Sequence, residues 1–461
     1  MMSARSGGFD YPLLIAMVVV AVATVVSFAF GPSGALAAAA VVGTAVALVV
    51  VVRAPLSRPN RTPVVAPEVV NDGGSTNFTA GLMPLVLLCI LMRMGMVVLL
   101  NATTLWGSFA PDAVYYRLTG EALLEYWADP SATAGMVQWM GSTEHRPFYS
   151  VINAGVIALI GDPRWPMSVI NTLVSIGVGW VFGRVTTEIY GVRAGRTAFL
   201  LSIFFPSAMV WTSLNIREVW SHLVIGLTVF AVIRIRQSFA LPYFLLLVFC
   251  LFMMRSIRPY MVPILVSGIF LSYVVVRVRQ LPYAIAGLVG MAIIVATLGE
   301  RIGVSADLVS TESLEQVHQM RLNLAFGGSA YGQQADTRTV AGSLAYLPEG
   351  IVRFLFAPFP WTVRSTRQAL TLVESIAWYY IVYLAFRGLL ADIRSRFSKV
   401  AAVFFIASAM TGAYALVSGN EGTAYRHRAQ VMFLVFIVAS GEWARRQDRK
   451  LANMRAFGAA P

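Results

Sequence analysis

A chain of 461 residues that is 57% hydrophobic and 12% charged, with a mean hydropathy of +0.71, excludes the soluble globular class. The net charge of +13 is carried almost wholly by arginine, and no basic–aromatic motif accompanies it, so nucleic acid is not an expected partner. Cys89 and Cys250, the only cysteines, both lie in apolar runs, which excludes a disulfide framework and a CxxC metal site.

The N-terminus imitates a signal peptide, with Arg5, an apolar run and "ALAAAA" at 35–40. The run 11–30 is long for such a segment, however, and a second run follows at 33–52, so residues 1–56 read as an uncleaved transmembrane hairpin. The Pro/Gly/Asn-rich stretch after Arg53 makes 57–78 a cytoplasmic linker. A transmembrane module is expected over 79–445, with spans near 79–101, 166–186, 197–212, 219–234, 239–254, 259–276, 281–299, 369–388, 398–418 and 427–444. With the hairpin this is an all-α polytopic membrane protein of about twelve transmembrane helices, both termini cytoplasmic. The apolar run 147–160 is too short to cross, and counting it would put Arg184, Arg193 and Arg196 outside, so it reads as a juxtamembrane or re-entrant helix of the first outer loop. The outer loops are 102–146 and 300–368, the second ending in an interface-like Pro-Phe-Pro-Trp, and 446–461 is a basic cytoplasmic tail. Under this topology the cytoplasmic side carries an excess equal to the whole net charge of +13, and Arg93 and Glu374 fall inside spans.

Every outer cation is then an arginine. Taken singly, each is explained by outer acids and lipid phosphates; as a group they point to a phosphate site, because a planar guanidinium fork suits phosphate better than a lysine. Asp112 follows Pro111 directly after a span, in "PDAVYYRLTG", with Tyr116 one turn on. A first-turn cap explains an acid there, though not its place at the membrane surface. Glu144, His145 and Arg146 stand side by side at the end of the same loop. Asp112 and Glu144 together could face one outer cavity, one as a general base and the other binding an acceptor, a metal or the base's surroundings. Arg217 and Glu218 open the helix after "FFPSAMVWTSLNI", where an adjacent ion pair is worth little. The densest cationic group is Arg426, His427 and Arg428; Arg255 and Arg258 in "RSIRP" form a weaker second one.

Several segments, in order, resemble the polyprenyl-phosphate-sugar-dependent glycosyltransferases of the GT-C type, the superfamily of protein mannosyltransferase-like and aminoarabinose-transferase-like membrane enzymes. The first is Asp112 with Tyr116, followed by Glu144-His145-Arg146-Pro147 before a short apolar run. Next come the basic turn "GRVTTEIYGVRAGRTA", the corner "FPSAMVWTSLNIRE" and the closing "YRHRAQVMFLVFIVAS". The resemblance covers roughly residues 79–445, and it is the order and spacing of the motifs that carry it.

The resemblance implies a hexosyl- or pentosyltransferase of the cell membrane. It would move a sugar from a polyprenyl-phosphate donor to an extracytoplasmic glycan, lipid or protein acceptor, by single displacement with inversion. Asp112 would be the base and Glu144 a supporting acid. Arg426 and Arg428 would hold the leaving phosphate, helped by Arg146 or Arg217, with Tyr116, His145, Glu218, Arg255, Arg258 and His427 also lining the donor site. No cofactor is certain. A metal, if used, would be a hard divalent cation (Mg, Mn or Ca) on the oxygens of Asp112 and Glu144. The rivals are a polysaccharide polymerase or ligase using a lipid-diphosphate oligosaccharide, then a lipid-linked sugar flippase or transporter, then a non-catalytic scaffold.

Overall fold

The computed structural model describes residues 78–103, 111–129, 131, 147–276, 311–325, 329–363 and 366–456. The expected hairpin, the linker up to residue 77, the span at 281–299 and Glu144, His145 and Arg146 lie outside the described residues. Every regular element among the described residues is helical: α1 (Met83–Ala102), α2 (Pro111–Ala128), α3 (Pro147–Ile160), α4 (Arg164–Tyr190), α5 (Val192–Phe204), α6 (Pro206–Ser213), α7 (Glu218–Gln237), α8 (Leu241–Ile257), α9 (Met261–Val276), α10 (Thr311–Leu324), α11 (Val340–Phe356), a 3-10 turn (Pro360–Thr362), α12 (Thr366–Ser395), α13 (Phe397–Val417) and α14 (Glu421–Ala456).

Five of these are long and apolar enough to cross a membrane, or six if the bent pair α5–α6 is one broken span. The membrane class therefore stands, while the expected count of twelve is not reached by the described residues. The expected spans at 239–254 and 259–276 are shorter apolar helices, and α14 is a helix of 36 residues whose polar ends extend well past 427–444. Residues 147–160 form the short apolar helix α3, as their length predicts.

The described chain divides into two compact units, residues up to 205 with 212–253, and 206–211 with 254 onwards. In the first unit α7 is the centre: 94% of its apolar window is buried, against 28% for α1. On α1 the buried residues Val86, Cys89, Arg93, Val97 and Leu100 recur at helical spacing, while Leu87, Leu91 and Leu99 face outward. An apolar exterior of this kind suits acyl chains. In a bilayer, helices gain little by hiding apolar area from each other, so close backbone approach matters more. The α4–α5 hairpin turns at Gly191, φ 97°, and a Cβ on Gly195 would stand 1.9 Å from Thr187 Oγ1. The second unit is arranged around α13, against which α9, α10, α11, α12 and α14 pack. Gly268 of α9 lets that helix meet Ile406, whose Cα would lie 2.7 Å from an added Cβ. The ends of α12 and α14 are tied by Arg445, which pairs with Asp392 and, at 3.0 Å, with Glu442.

α5 and α6 meet at a 59° bend. Pro206 has no N–H, and Phe205 before it is extended, so the helix stops. Stopping a helix at membrane depth strands carbonyls at one end and amides at the other. In the first unit Arg93 meets the carbonyl end: Nη2 donates to Ile203 O at 2.8 Å, and Nη1 to the hydroxyls of Thr212 and Ser213 at 2.5 and 3.0 Å. In the second unit the backbone and hydroxyl of Ser207 at the amide end hydrogen-bond the Glu374 carboxylate, which also accepts from Tyr425 Oη at 2.6 Å. A cation at a helix C-terminus and an anion at an N-terminus are also the favourable signs for the helix dipoles. The two charges that hydropathy places inside spans are thus the caps of a broken helix.

Replacing Arg93 with Met should cost about 1–3 kcal/mol for each acceptor left unsatisfied. Thermal unfolding of the purified protein in detergent reads this, and an unchanged midpoint would show that Arg93 is not what closes the break.

Candidate functional site

Asp112 lies in the first turn of α2, where the helix dipole favours an acid, and its side chain is half-buried. One turn on, Tyr116 is fully buried, its ring set edge-on to Tyr149 of α3 with centroids 4.7 Å apart. α2 and α3 cross closely because Gly120 has no side chain: an added Cβ would lie 3.0 Å from Ala154 N and 2.9 Å from Ile157 Cδ1. The hydroxyls of Thr119 and Ser150, 3.0 Å apart, close the same contact.

From α3 a buried polar network leads to the corner that precedes α7. Tyr149 Oη donates to Asn215 Oδ1 at 2.7 Å, and Asn215 Nδ2 donates to Asn153 Oδ1 at 3.0 Å. Asn171, fully buried on α4, turns its amide nitrogen to three acceptors: Leu214 O at 2.6 Å, Ile216 O at 3.1 Å and Tyr149 Oη at 3.0 Å. Trp220 Nε1 donates back to Asn171 Oδ1 at 3.1 Å. The reason lies in the backbone: residues 214–216 are in neither α6 nor α7, so their carbonyls need partners the helices do not provide, whereas Arg217 O accepts from Ser221 N of α7. Burial pushes the Tyr149 hydroxyl well above the usual tyrosine range, so it stays a neutral donor. The network holds Arg217, the N-cap residue of α7, and Glu218 in its first turn, both buried.

The first unit thus brings Asp112, Tyr116, Arg217 and Glu218 onto elements that pack successively through Tyr149, Asn153 and Asn171. Of the other expected residues, Glu144, His145 and Arg146 lie outside the described residues, and the rest fall in the second unit. Arg258 is buried, with Nη1 on Tyr260 Oη at 2.5 Å, while Arg255 is half-buried in the last turn of α8. Arg426 lies over the Trp211 ring, 5.8 Å from its centroid, and His427 stacks on Tyr414 at 4.5 Å. Arg428 is buried and turns inward: Nη1 donates to Leu355 O and Ala357 O, each at 2.9 Å, and the guanidinium lies over the rings of Trp378 and Tyr425. Of the dense cationic group, Arg428 therefore has Nη1 committed to backbone. Among the described residues no three His, Cys, Asp or Glu side chains gather as metal ligands, and Glu144 is not among those residues.

Tyr149, Asn153, Asn171, Asn215 and Trp220 were not singled out by the sequence. The available signal was Asn171 itself, an amide in the middle of an apolar span, which needs partners wherever it goes.

No protein-family model, no curated protein and no solved structure matches this chain.

Exchanging Asn171 for Leu, which has the same branching, removes the donor to three acceptors and should cost about 1–3 kcal/mol for each one left dry. The specific readout is hydrogen–deuterium exchange of the peptide spanning Ser213–Arg217. It should accelerate ahead of the neighbouring helices. Unchanged exchange there would mean the corner is held by something other than Asn171.

Proposed function

We propose that this protein is a glycosyltransferase of the GT-C type, moving a sugar from a polyprenyl-phosphate donor to an extracytoplasmic acceptor, with both termini cytoplasmic. The observation that carries the reading is the convergence within the first unit. Three segments of the resemblance, the Asp112–Tyr116 turn, the helix that opens at Pro147 and the corner ending in Arg217–Glu218, pack in succession through Tyr116, Tyr149 and Asn215. A buried, fully bonded polar scaffold under a cation and an acid is what positioning chemistry requires, since a site held loosely forfeits much of its rate.

The reaction assigns one task to each group. Asp112 takes the proton from the acceptor hydroxyl as its oxygen attacks the anomeric carbon. The bond from that carbon to the donor's phosphate oxygen breaks, the configuration inverts, and the electron pair leaves on the lipid phosphate. Arg217 is the cation assigned to that phosphate in this unit, where a planar fork meets two oxygens at once. Glu218, next in the chain and also buried, is the acid assigned to balance that charge. Tyr116, packed on Tyr149, keeps the first turn of α2 in register.

The test is sugar transfer by the purified protein in lipid. Labelled polyprenyl-phosphate sugars serve as donors and a crude membrane fraction as acceptor, with wild type and Asp112→Asn side by side. A general base contributes about 10²–10⁴-fold, so transfer should fall by that factor with donor binding retained. Activity with a lipid-diphosphate oligosaccharide, and none with any monophosphate donor, would move the protein to the polymerase or ligase class and leave Asp112 as a helix cap.

A further inference from the structure

α11 has its apolar side in the wrong place for a loop in water. Its buried positions are Ser343, Tyr346, Gly350 and Phe354, a mixed stripe that packs on α13: Gly350 meets Ala415 O, and Phe354 stacks on Tyr414 at 5.7 Å. Most of the other side, Val340, Leu344, Pro348 and Val352, is exposed and apolar, Leu344 62% and Val352 49% exposed, with the one exposed acid, Glu349, at its edge and held by Arg353 Nε at 2.7 Å. Water would select the reverse pattern.

The C-terminal end of α11 supplies the second observation. A helix end in water leaves its last carbonyls to solvent. Here Trp378 Nε1 donates to Leu355 O at 2.7 Å, Tyr379 Oη to Phe356 O at 2.6 Å and to Pro358 O at 3.2 Å, and Arg428 to Leu355 O and Ala357 O. This is the satisfaction that backbone at membrane depth demands, and Arg428 adds a positive charge at the negative end of the helix dipole.

The depth follows from helix rise. The apolar span of α12 begins at Thr371, so Trp378 and Tyr379 lie about 10 Å beyond its start at 1.5 Å per residue. On α14, Arg428 is one such step beyond Glu421. Glu421 is the residue that meets the returning chain, accepting from Thr362 Oγ1 at 3.3 Å and from Gln368 Nε2 at 2.9 Å. Thr362, Gln368 and Glu421 therefore mark a shallow layer, and Leu355, Trp378 and Arg428 a deeper one. Between the layers the chain turns through Phe359 and Trp361, rings stacked at 5.2 Å with Trp361 80% exposed.

We propose that Val340–Val363 is a re-entrant membrane segment: α11 descends into one leaflet with its Val340–Leu344–Pro348–Val352 stripe against acyl chains, and the chain returns through Trp361 at the interface. This refines the expected outer loop 300–368, whose Pro-Phe-Pro-Trp end already reads as interfacial, and it is independent of the glycosyltransferase reading. A bilayer is the occupant because the helix that carries the stripe packs by its other face on α13, a candidate span, and because it ends on side-chain donors instead of water.

The test is site-directed spin labelling of the full chain in liposomes, at Ala341, Leu344 and Val352 converted singly to Cys. Cys89 and Cys250 are buried, and the parent protein gives the background labelling. Oxygen collision should exceed collision with a water-soluble nickel chelate several-fold at Val352, and the ratio should fall towards Ala341. Equal access to nickel at the three sites overturns the proposal in favour of an aqueous loop; low access to both reagents overturns it in favour of a protein cover, a second copy included. Should a variant misfold, quenching of the native protein by lipids brominated along the acyl chain, compared with Trp361→Phe, asks the same question. The tryptophan-dependent share of quenching should be lost in the variant, and its persistence would count against Trp361 at the interface.

Discussion

Backbone that leaves a helix inside a bilayer has no water to turn to, and this constraint organises the described part of the protein. Three helix ends are met by side chains of other elements. At the α5–α6 break, Ile203 O is taken by Arg93 and the start of α6 by Glu374. At the corner before α7, Leu214 O and Ile216 O are taken by Asn171. At the end of α11, four consecutive carbonyls, Leu355 to Pro358, are taken by Trp378, Tyr379 and Arg428. In each case the donor or acceptor is a side chain from another helix, so the ends of the helices, more than their middles, tie each unit together.

The residue types chosen follow from the same constraint. Arg93 reaches Ile203 O, Thr212 and Ser213 at once, which a fork of five donors can do and a single ammonium cannot match in fixed geometry. Asn171 uses donor and acceptor ends together, receiving from Trp220 while giving to the corner. Between these ties the helices meet on glycine, as at Gly195 and Gly268, where any side chain would collide with the neighbour. Apolar side chains fill the rest, and many of them, such as Leu91 and Leu99 on α1, face outward.

The proposed chemistry draws on the same devices. A corner that must be clamped to be satisfied is also rigid, and the clamp fixes Arg217 and Glu218 at the start of a nearly wholly buried helix. Stiffness that arises from backbone satisfaction is then available for holding a phosphate against a base at no further conformational cost. The second unit shows the opposite use of a cation: Arg428 lies in the cationic stretch that looks most like an anion site, yet Nη1 serves two carbonyls.

What the sequence determined was everything that depends on local composition. Apolar runs specified the membrane class and most of the helices described; the run 147–160 specified a short apolar helix, and Pro206 marks a break. Asp112 could be read as a first-turn acid from its neighbours alone. What the tertiary structure decided was where each polar group inside those runs finds its partner. Arg93 pairs with residues 110 to 120 positions away, Asn171 with a corner 43 to 45 positions on, and Arg428 with a helix end 71 to 73 positions back. Hydropathy is a property of a window and is legible along the chain. A hydrogen bond in a dry interior is a property of two segments, and only the packed helices specify which two meet.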